Sequence, residues 1–209
     1  MKRLEQSLLL RLFQGISETA VGYRQIQSSV GGRRLWLRFV HQYLRPGEEI
    51  LDIGCGTADV AAFLPQGCAY RGIDLSLPYI IHARSRYSEF EFTQGDWSSA
   101  SQKSQTVLML GVLHHLNDQS AAAALEHAFA LVKPGGRLIT LDGVRCTGRG
   151  RVEEIFYAID RGKYVRSLEA YAKMFPQPPI QEVHRWLRVP YRHLVCVLSR
   201  ESMDDTSFV

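Results

Sequence analysis

Three carboxylates sit beside glycines or at the ends of short apolar runs. They are Asp52 in Asp52-Ile53-Gly54-Cys55-Gly56-Thr57, Asp74 at 20 residues after Gly54, and Asp96 in Gly95-Asp96-Trp97. Two glycines flanking one residue let the backbone turn sharply and approach a ligand closely. Asp59 stands where a dinucleotide fingerprint has its third glycine. Asp52, two residues before the first glycine, is unfavourable beside a pyrophosphate but suits an ammonium or neutral hydroxyls. Asp74 can accept hydrogen bonds from both hydroxyls of an unphosphorylated ribose, and Ser76 is the better placed residue for capping the helix that follows. Asp96 can accept from an exocyclic adenine amine while its neighbour Trp97 lines the ring, although Gly-Asp is also ordinary turn chemistry. Together these residues describe an adenosine pocket with no phosphate-neutralising group.

A fourth cluster is Leu113-His114-His115-Leu116. Imidazole titrates near neutral pH and suits a general base. Neighbours in an extended chain face opposite ways, so His114 is expected to face an acceptor and His115 to pack near the cofactor or under the loop. A purely structural role for both stays open. Weaker candidates lie on the flanks: Tyr23 and Arg24 over the cofactor, and Asp142, Tyr164, Tyr191 and His193 around an acceptor, with packing or surface cover as the competing reading. Cys55, Cys68, Cys146 and Cys196 form no C-x-x-C pair and have no histidine at ligand spacing, so neither a disulfide framework nor a metal site is expected.

These side chains need a scaffold that brings them to one edge. Apolar β-rich runs at 49–53, 69–74, 90–93, 106–110 and 137–141 alternate with helical stretches at 57–64, 76–87 and 118–132, the last capped by Asp118. Lys133-Pro134-Gly135-Gly136 is expected to end that last helix. Such a βαβ series demands a parallel sheet with helices on both faces, and ligands bind beyond the carboxyl ends of its strands. Helical stretches are expected at 4–13, 35–44, 152–160 and 167–175. Two strands, 180–187 and 191–199, are expected to join around Val189-Pro190 as a hairpin with an antiparallel edge.

The chain has 209 residues, 45 % hydrophobic and 22 % charged, enough for one compact domain and too few for two comfortable ones. Its 17 glycines and 8 prolines are near average, which sets aside disordered and fibrous classes. Apolar runs fall far short of the ~20 residues of a membrane-spanning helix. Arg11 interrupts the early leucines and no cleavage site follows, so no secretory leader and a cytoplasmic location are expected. The net charge is +4, and 20 of the 25 basic residues are arginine. That imbalance fits a solvated surface as well as an anionic substrate or a nucleic acid.

Over residues 48–143, about half the chain, the sequence resembles the class I S-adenosylmethionine-dependent methyltransferases. Glu49-Ile50-Leu51-Asp52-Ile53-Gly54-Cys55-Gly56-Thr57 is similar to their first motif, Gly72-Ile73-Asp74-Leu75-Ser76 to the acidic second, and Gly95-Asp96-Trp97 to the adenine-side motif. Leu131-Val132-Lys133-Pro134-Gly135-Gly136-Arg137-Leu138 resembles the segment entering strand five. The resemblance implies S-adenosyl-L-methionine as cofactor. Asp52 and the Gly54-Cys55-Gly56 turn would hold its methionine end, Asp74 its ribose and Asp96 its adenine, with Leu75 and Trp97 also on the cofactor side. Leu110 and Gly111 would offer backbone carbonyls to the amino group, Tyr23 would face the sulfonium, and Arg24 would pair with the carboxylate.

The implied fold is α/β, a Rossmann-like seven-stranded mostly parallel sheet with an antiparallel last strand, helices on both faces and an N-terminal helical lid. Within one methyltransferase domain the expected parts are a lid (1–47), a cofactor-binding core (48–145), a helical insertion (146–179) and a C-terminal hairpin and tail (180–209). The expected activity is methyl transfer to the O, N or C of a small-molecule acceptor. Related quinone-pathway enzymes carry glutamates for a metal where this chain has Gly111 and His114. The Asn/Asp-Pro-Pro-aromatic motif and the Pro-Cys or Thr-Cys pair of nucleic-acid methyltransferases are both missing from the sequence, which disfavours a nucleic-acid partner. Two other readings stand beside it: an NAD-dependent oxidoreductase and a non-catalytic cofactor-binding subunit.

Overall fold

The computed structural model describes residues 32–148, 150, 152, 153, 157 and 163–202. Helix α1 (Gly32–Tyr43) precedes strands β1 (Glu49–Ile53) and β2 (Ala69–Asp74). Helix α2 (Leu77–Arg86), β3 (Glu91–Gln94), β4 (Ser104–Leu110), α3 (Asp118–Ala130) and β5 (Val132–Arg145) follow. A two-residue strand β6 (Arg166–Ser167), a short helix α4 (Leu168–Ala172), β7 (Ile180–His184) and β8 (His193–Ser199) complete the order. Val152, Glu153 and Tyr157 are helical.

The sheet runs β3-β2-β1-β4-β5-β8-β7, with β6 paired to β5 off this path. Pairs among β1 to β5 are parallel; β8 runs antiparallel to β5 and to β7. This is the expected α/β, Rossmann-like sheet. The hairpin's second strand inserts next to β5, which leaves β7 at the edge. Apolar clusters cover both faces: one packs Val107, Met109 and Leu138 against Ala121, Ala124 and Leu125 of α3, and the other packs Ile50, Leu108 and Ile139 with Leu35 and Phe39 of α1.

Several local expectations need correction. The segment after the glycine turn is a five-residue 3-10 helix, Asp59–Phe63, rather than a helix over 57–64, because Ala58 is left-handed (φ 55°). Asn117, not Asp118, caps α3 through its Oδ1, which accepts Ser120 N–H at 2.8 Å. The 133–136 segment does not separate helix from strand: β5 starts at Val132 and passes Pro134-Gly135 as an irregularity, with register moving from Ser104↔Val132 to Thr106↔Arg137. The Gly135 N–H there donates to the Arg200 carbonyl at 3.0 Å, a tertiary bond that offsets the break in the ladder. No described helix is long and apolar enough to cross a membrane.

Candidate functional site

Strands β2 and β3 extend the sheet on one side of β1, and the chain then crosses to place β4 on the other. The carboxyl ends of β1 and β4 therefore flank the switch point of the sheet, where open α/β sheets bind ligands. A crevice of about 490 Å³ lies there. The first turn fits only glycine: Gly54 has φ +78°, and a Cβ on it would lie 2.4 Å from Val112 Cγ2. Asp52, Gly54, Cys55, Gly56, Asp74, Leu75, Asp96, Trp97, Leu110, Gly111 and His115 all line the crevice. Trp36 of α1 and Tyr79 of α2 line it as well, and nothing in their local sequence marked them.

The turn amides are bonded internally. Gly54 and Cys55 N–H both donate to the Ile73 carbonyl, at 2.7 and 3.0 Å. Gly56 N–H donates to Asp74 Oδ2 at 2.8 Å, and Ser76 N–H to Asp74 Oδ1 at 2.8 Å. The Ser76 side chain makes no capping bond, so Asp74 holds the α2 entry that was expected of Ser76. A carboxylate has about four acceptor positions, so Asp74 keeps capacity for hydroxyl donors. Asp96 is exposed, and its Oδ1 accepts from Ser98 N–H, Ser98 O–H and Ser99 N–H, which fixes the Trp97–Ser99 turn. Those serine bonds lower its pKa.

Asp52, Asp59, Asp74 and Asp96 place four carboxylates around the crevice, and its described lining includes neither lysine nor arginine. Asp59 accepts from Thr57 Oγ1 at 3.0 Å and pairs with Arg86 at 3.2 Å. Asp52 is buried with the Tyr70 hydroxyl on Oδ2 at 2.5 Å.

On the other side of the switch point the histidine segment is not extended. Leu113–His115 forms a 3-10 turn that brings the two rings to 4.3 Å between centroids at 43°. His115 is exposed and lines the crevice, while His114 is buried and does not. His114 Nδ1 lies 2.7 Å from Asp142 Oδ1, and His114 N–H donates to the same oxygen at 3.1 Å. Arg166, which sequence reasoning missed, shapes this turn. It is buried, and its guanidinium donates to the carbonyls of Leu113 (2.8 Å), Leu116 (2.5 Å) and Tyr164 (2.9 Å) and to Asp118 (2.8 Å). Tyr164 contributes its backbone N–H to the His114 carbonyl at 2.9 Å.

Tyr191 and His193 form a separate aromatic group with Tyr157, with centroids 4.8 and 5.0 Å from Tyr191. The Tyr191 hydroxyl occupies the space a Cβ on Gly143 would need. Asp142, Tyr164, Tyr191 and His193 are not among the residues lining the crevice. Tyr23 and Arg24 lie outside the described residues.

A mostly parallel sheet with an acid-lined crevice at its switch point defines a Rossmann-like fold. The methyltransferase domain family matches residues 27–205, and the chain belongs to that family. It is 27 % identical over 165 residues to a phosphoethanolamine N-methyltransferase of Triticum aestivum, covering 74 % of this chain and 32 % of the relative. A demethylmenaquinone methyltransferase of Streptomyces griseus is 32 % identical over 115 residues, covering 53 % of this chain and 50 % of that one. The chain thus spans between a third and a half of the length of these relatives. Among solved structures, a 1,6-didemethyltoxoflavin-N1-methyltransferase of Burkholderia thailandensis superposes with a TM-score of 0.68 at 18 % identity, covering 95 % of this chain and 90 % of that one.

Proposed function

We propose that this chain binds S-adenosyl-L-methionine in the switch-point crevice and catalyses transfer of its methyl group to a small-molecule acceptor. The observation that carries the proposal is the acidic lining of the crevice: four aspartates and no lysine or arginine among its described residues. A cofactor bearing a sulfonium and an ammonium suits such a field, and a diphosphate does not. The turn amides weigh the same way. A phosphate cradle needs N–H groups pointing at the ligand, and here Gly54, Cys55 and Gly56 direct theirs to Ile73 and Asp74. A nicotinamide dinucleotide is therefore the weaker reading.

In this reading Asp52 meets the ammonium and Asp74 the ribose hydroxyls. Leu75, Asp96 and Trp97 border the adenine, and Leu110 and Gly111 face the amino-acid end. The bound cofactor supplies an electrophilic methyl group for in-line displacement. The protein's task is then to align an acceptor and, where the acceptor carries a proton, to receive it. His114 is the residue assigned to that proton. Asp142 Oδ1, 2.7 Å from Nδ1, holds the ring and leaves Nε2 as the accepting nitrogen.

His115 borders the cofactor, and Tyr164, Tyr191 and His193 belong to the acceptor side. Residues 1–47 act as a lid, supported by Trp36 at the crevice, and 146–179 as the acceptor insertion. The relatives are named for phosphoethanolamine and demethylmenaquinone, which favours a small molecule over a nucleic acid. Four cysteines present as thiols fit a cytoplasmic enzyme.

Thermal denaturation with saturating S-adenosylhomocysteine tests the core of this reading. A rise in Tm of several degrees with that ligand and none with NAD is expected; no shift in a folded sample sinks it. Incubation with labelled cofactor and a metabolite extract, read by mass spectrometry, then identifies what gains a methyl group.

A further inference from the structure

The four crevice carboxylates are not alike. Asp59 and Asp74 are partly exposed and Asp96 is exposed, whereas Asp52 is 1 % exposed. Its Oδ2 accepts the Tyr70 hydroxyl at 2.5 Å. Its Oδ1, equally buried, has no hydrogen-bond partner among the described residues, and Asp52 is among the residues that line the crevice. The ionisable groups around it come from β2, which supplies Tyr70 and Asp74, and from the glycine turn, which supplies Cys55; Tyr87 in turn acts electrostatically on Tyr70. Across the sheet β4 places Leu108 opposite Asp52, and the helices covering this face, α1 and α2, contribute Leu35, Phe39, Ile80 and Ala83 to the same apolar cluster, with Tyr79 of α2 and Asp59 also lining the crevice. His115 borders the crevice from the β4 side. None of the described ion pairs involves Asp52.

An ionised carboxylate in that position leaves a buried charge with one oxygen unsatisfied and a second carboxylate nearby, an arrangement whose cost falls when the group is neutral. A cation brought to Oδ1 removes the cost by the opposite route. We infer that Asp52 and Tyr70 form a proton-linked anchor for the cofactor's amino-acid end: the carboxyl keeps its proton in the empty crevice and releases it to solvent when an ammonium group takes Oδ1. The inference rests on the crevice being the S-adenosylmethionine site. Tyr70 acts as a positioning residue, since its hydroxyl occupies Oδ2 and leaves Oδ1 for the ligand.

The electrostatics agree. Burial pushes the Asp52 carboxyl up to about 7, with the Tyr70 hydrogen bond pulling it down and Asp74 pushing it further up. Tight binding requires the ionised form. Affinity for an amine-bearing ligand therefore rises about tenfold per pH unit below about pH 7 and levels off above it. A nucleoside without the amine does not share that dependence. Removing the Tyr70 hydroxyl removes a group that favours the ionised form, so the midpoint moves to higher pH.

Calorimetric titration of the full chain with S-adenosylhomocysteine, in two buffers of different ionisation enthalpy, reads the proton directly. Nearly one proton released per ligand is expected at about pH 6 and close to none at about pH 8.5. Titration with 5′-methylthioadenosine, which lacks the amine, is expected to release none. Tyr70→Phe keeps the ring packing against Phe90 and Phe92 and is expected to move the midpoint alkaline. Asp52→Asn is expected to bind weakly with no pH dependence, and His115→Asn to keep the wild-type dependence. Constant affinity from about pH 5.5 to about pH 8.5, or a dependence that survives Asp52→Asn or vanishes in His115→Asn, overturns the anchor and leaves the cofactor assignment standing. No binding at any pH overturns both.

Discussion

The two sides of the switch point are built in opposite ways. On the β1-β2-β3 side, functional groups sit in short turns within a few residues of a strand end, and their backbone bonds run to the adjacent strand: Gly54 and Cys55 to Ile73, Gly95 to Asp74. On the β4-β5 side, the groups are tied across long sequence separations, with His114 bonded to Asp142 and Arg166 reaching back to Leu113 and Leu116. The first side is a preformed cradle held by backbone geometry. The second is a side-chain network whose shape depends on one buried guanidinium. A surface built from consecutive residues is set by local backbone geometry, whereas one built from distant side chains is assembled by tertiary contacts.

This contrast can be broken at several points. The largest effect is expected at Gly54→Ala, where positive φ and the clash with Val112 act together on the cradle. Calorimetry is expected to show affinity for S-adenosylhomocysteine down by more than about a hundredfold, or about 3 kcal/mol; wild-type affinity would show that the turn does not define the site. Arg166→Ala strips hydrogen bonds from three carbonyls and from Asp118. Urea unfolding is expected to lose about 3 kcal/mol. Turnover in the surviving folded protein is expected to fall further than cofactor affinity does. Equal losses in the two would mean that the network also shapes the cradle.

His114→Ala separates the sides most cleanly. Turnover with the identified acceptor is expected to drop about a hundredfold while affinity for S-adenosylhomocysteine stays within about twofold. Unchanged turnover removes its assignment as the base. The smallest effect is expected at Asp96→Ala. The carboxylate is exposed and already bonded to Ser98 and Ser99, so affinity is expected to fall by less than about tenfold. A larger loss would raise Asp96 to the standing of Asp74.

Legibility in the sequence follows the same divide. All the residues read as cofactor-side from residue 52 onward line the crevice, because glycine-flanked turns and strand-end carboxylates are properties of a few consecutive residues. The helix caps show where local reading stops. Asn117 and Asp118 both suit an N-cap, and only the backbone path decides that Asn117 takes it. Likewise Ser76 has the preferred side chain for the α2 cap, but Asp74 reaches the same amide from the strand end.

What the amino-acid order determined by itself was most of the alternation of strands and helices, the glycine-flanked turn, and the strand-end acids, of which Asp52 is the one unfavourable beside a diphosphate. Each depends on interactions within about one turn or strand, where residue type sets backbone preference directly. Only the folded sheet decided that Tyr70 meets Asp52, that Asp142 meets His114, and that Arg166 holds the turn between β4 and α3. Those partners lie 18, 28 and 53 residues apart. Which of many arginines, tyrosines and acids is buried with which partner is set by strand register and helix packing, and no local preference encodes that choice.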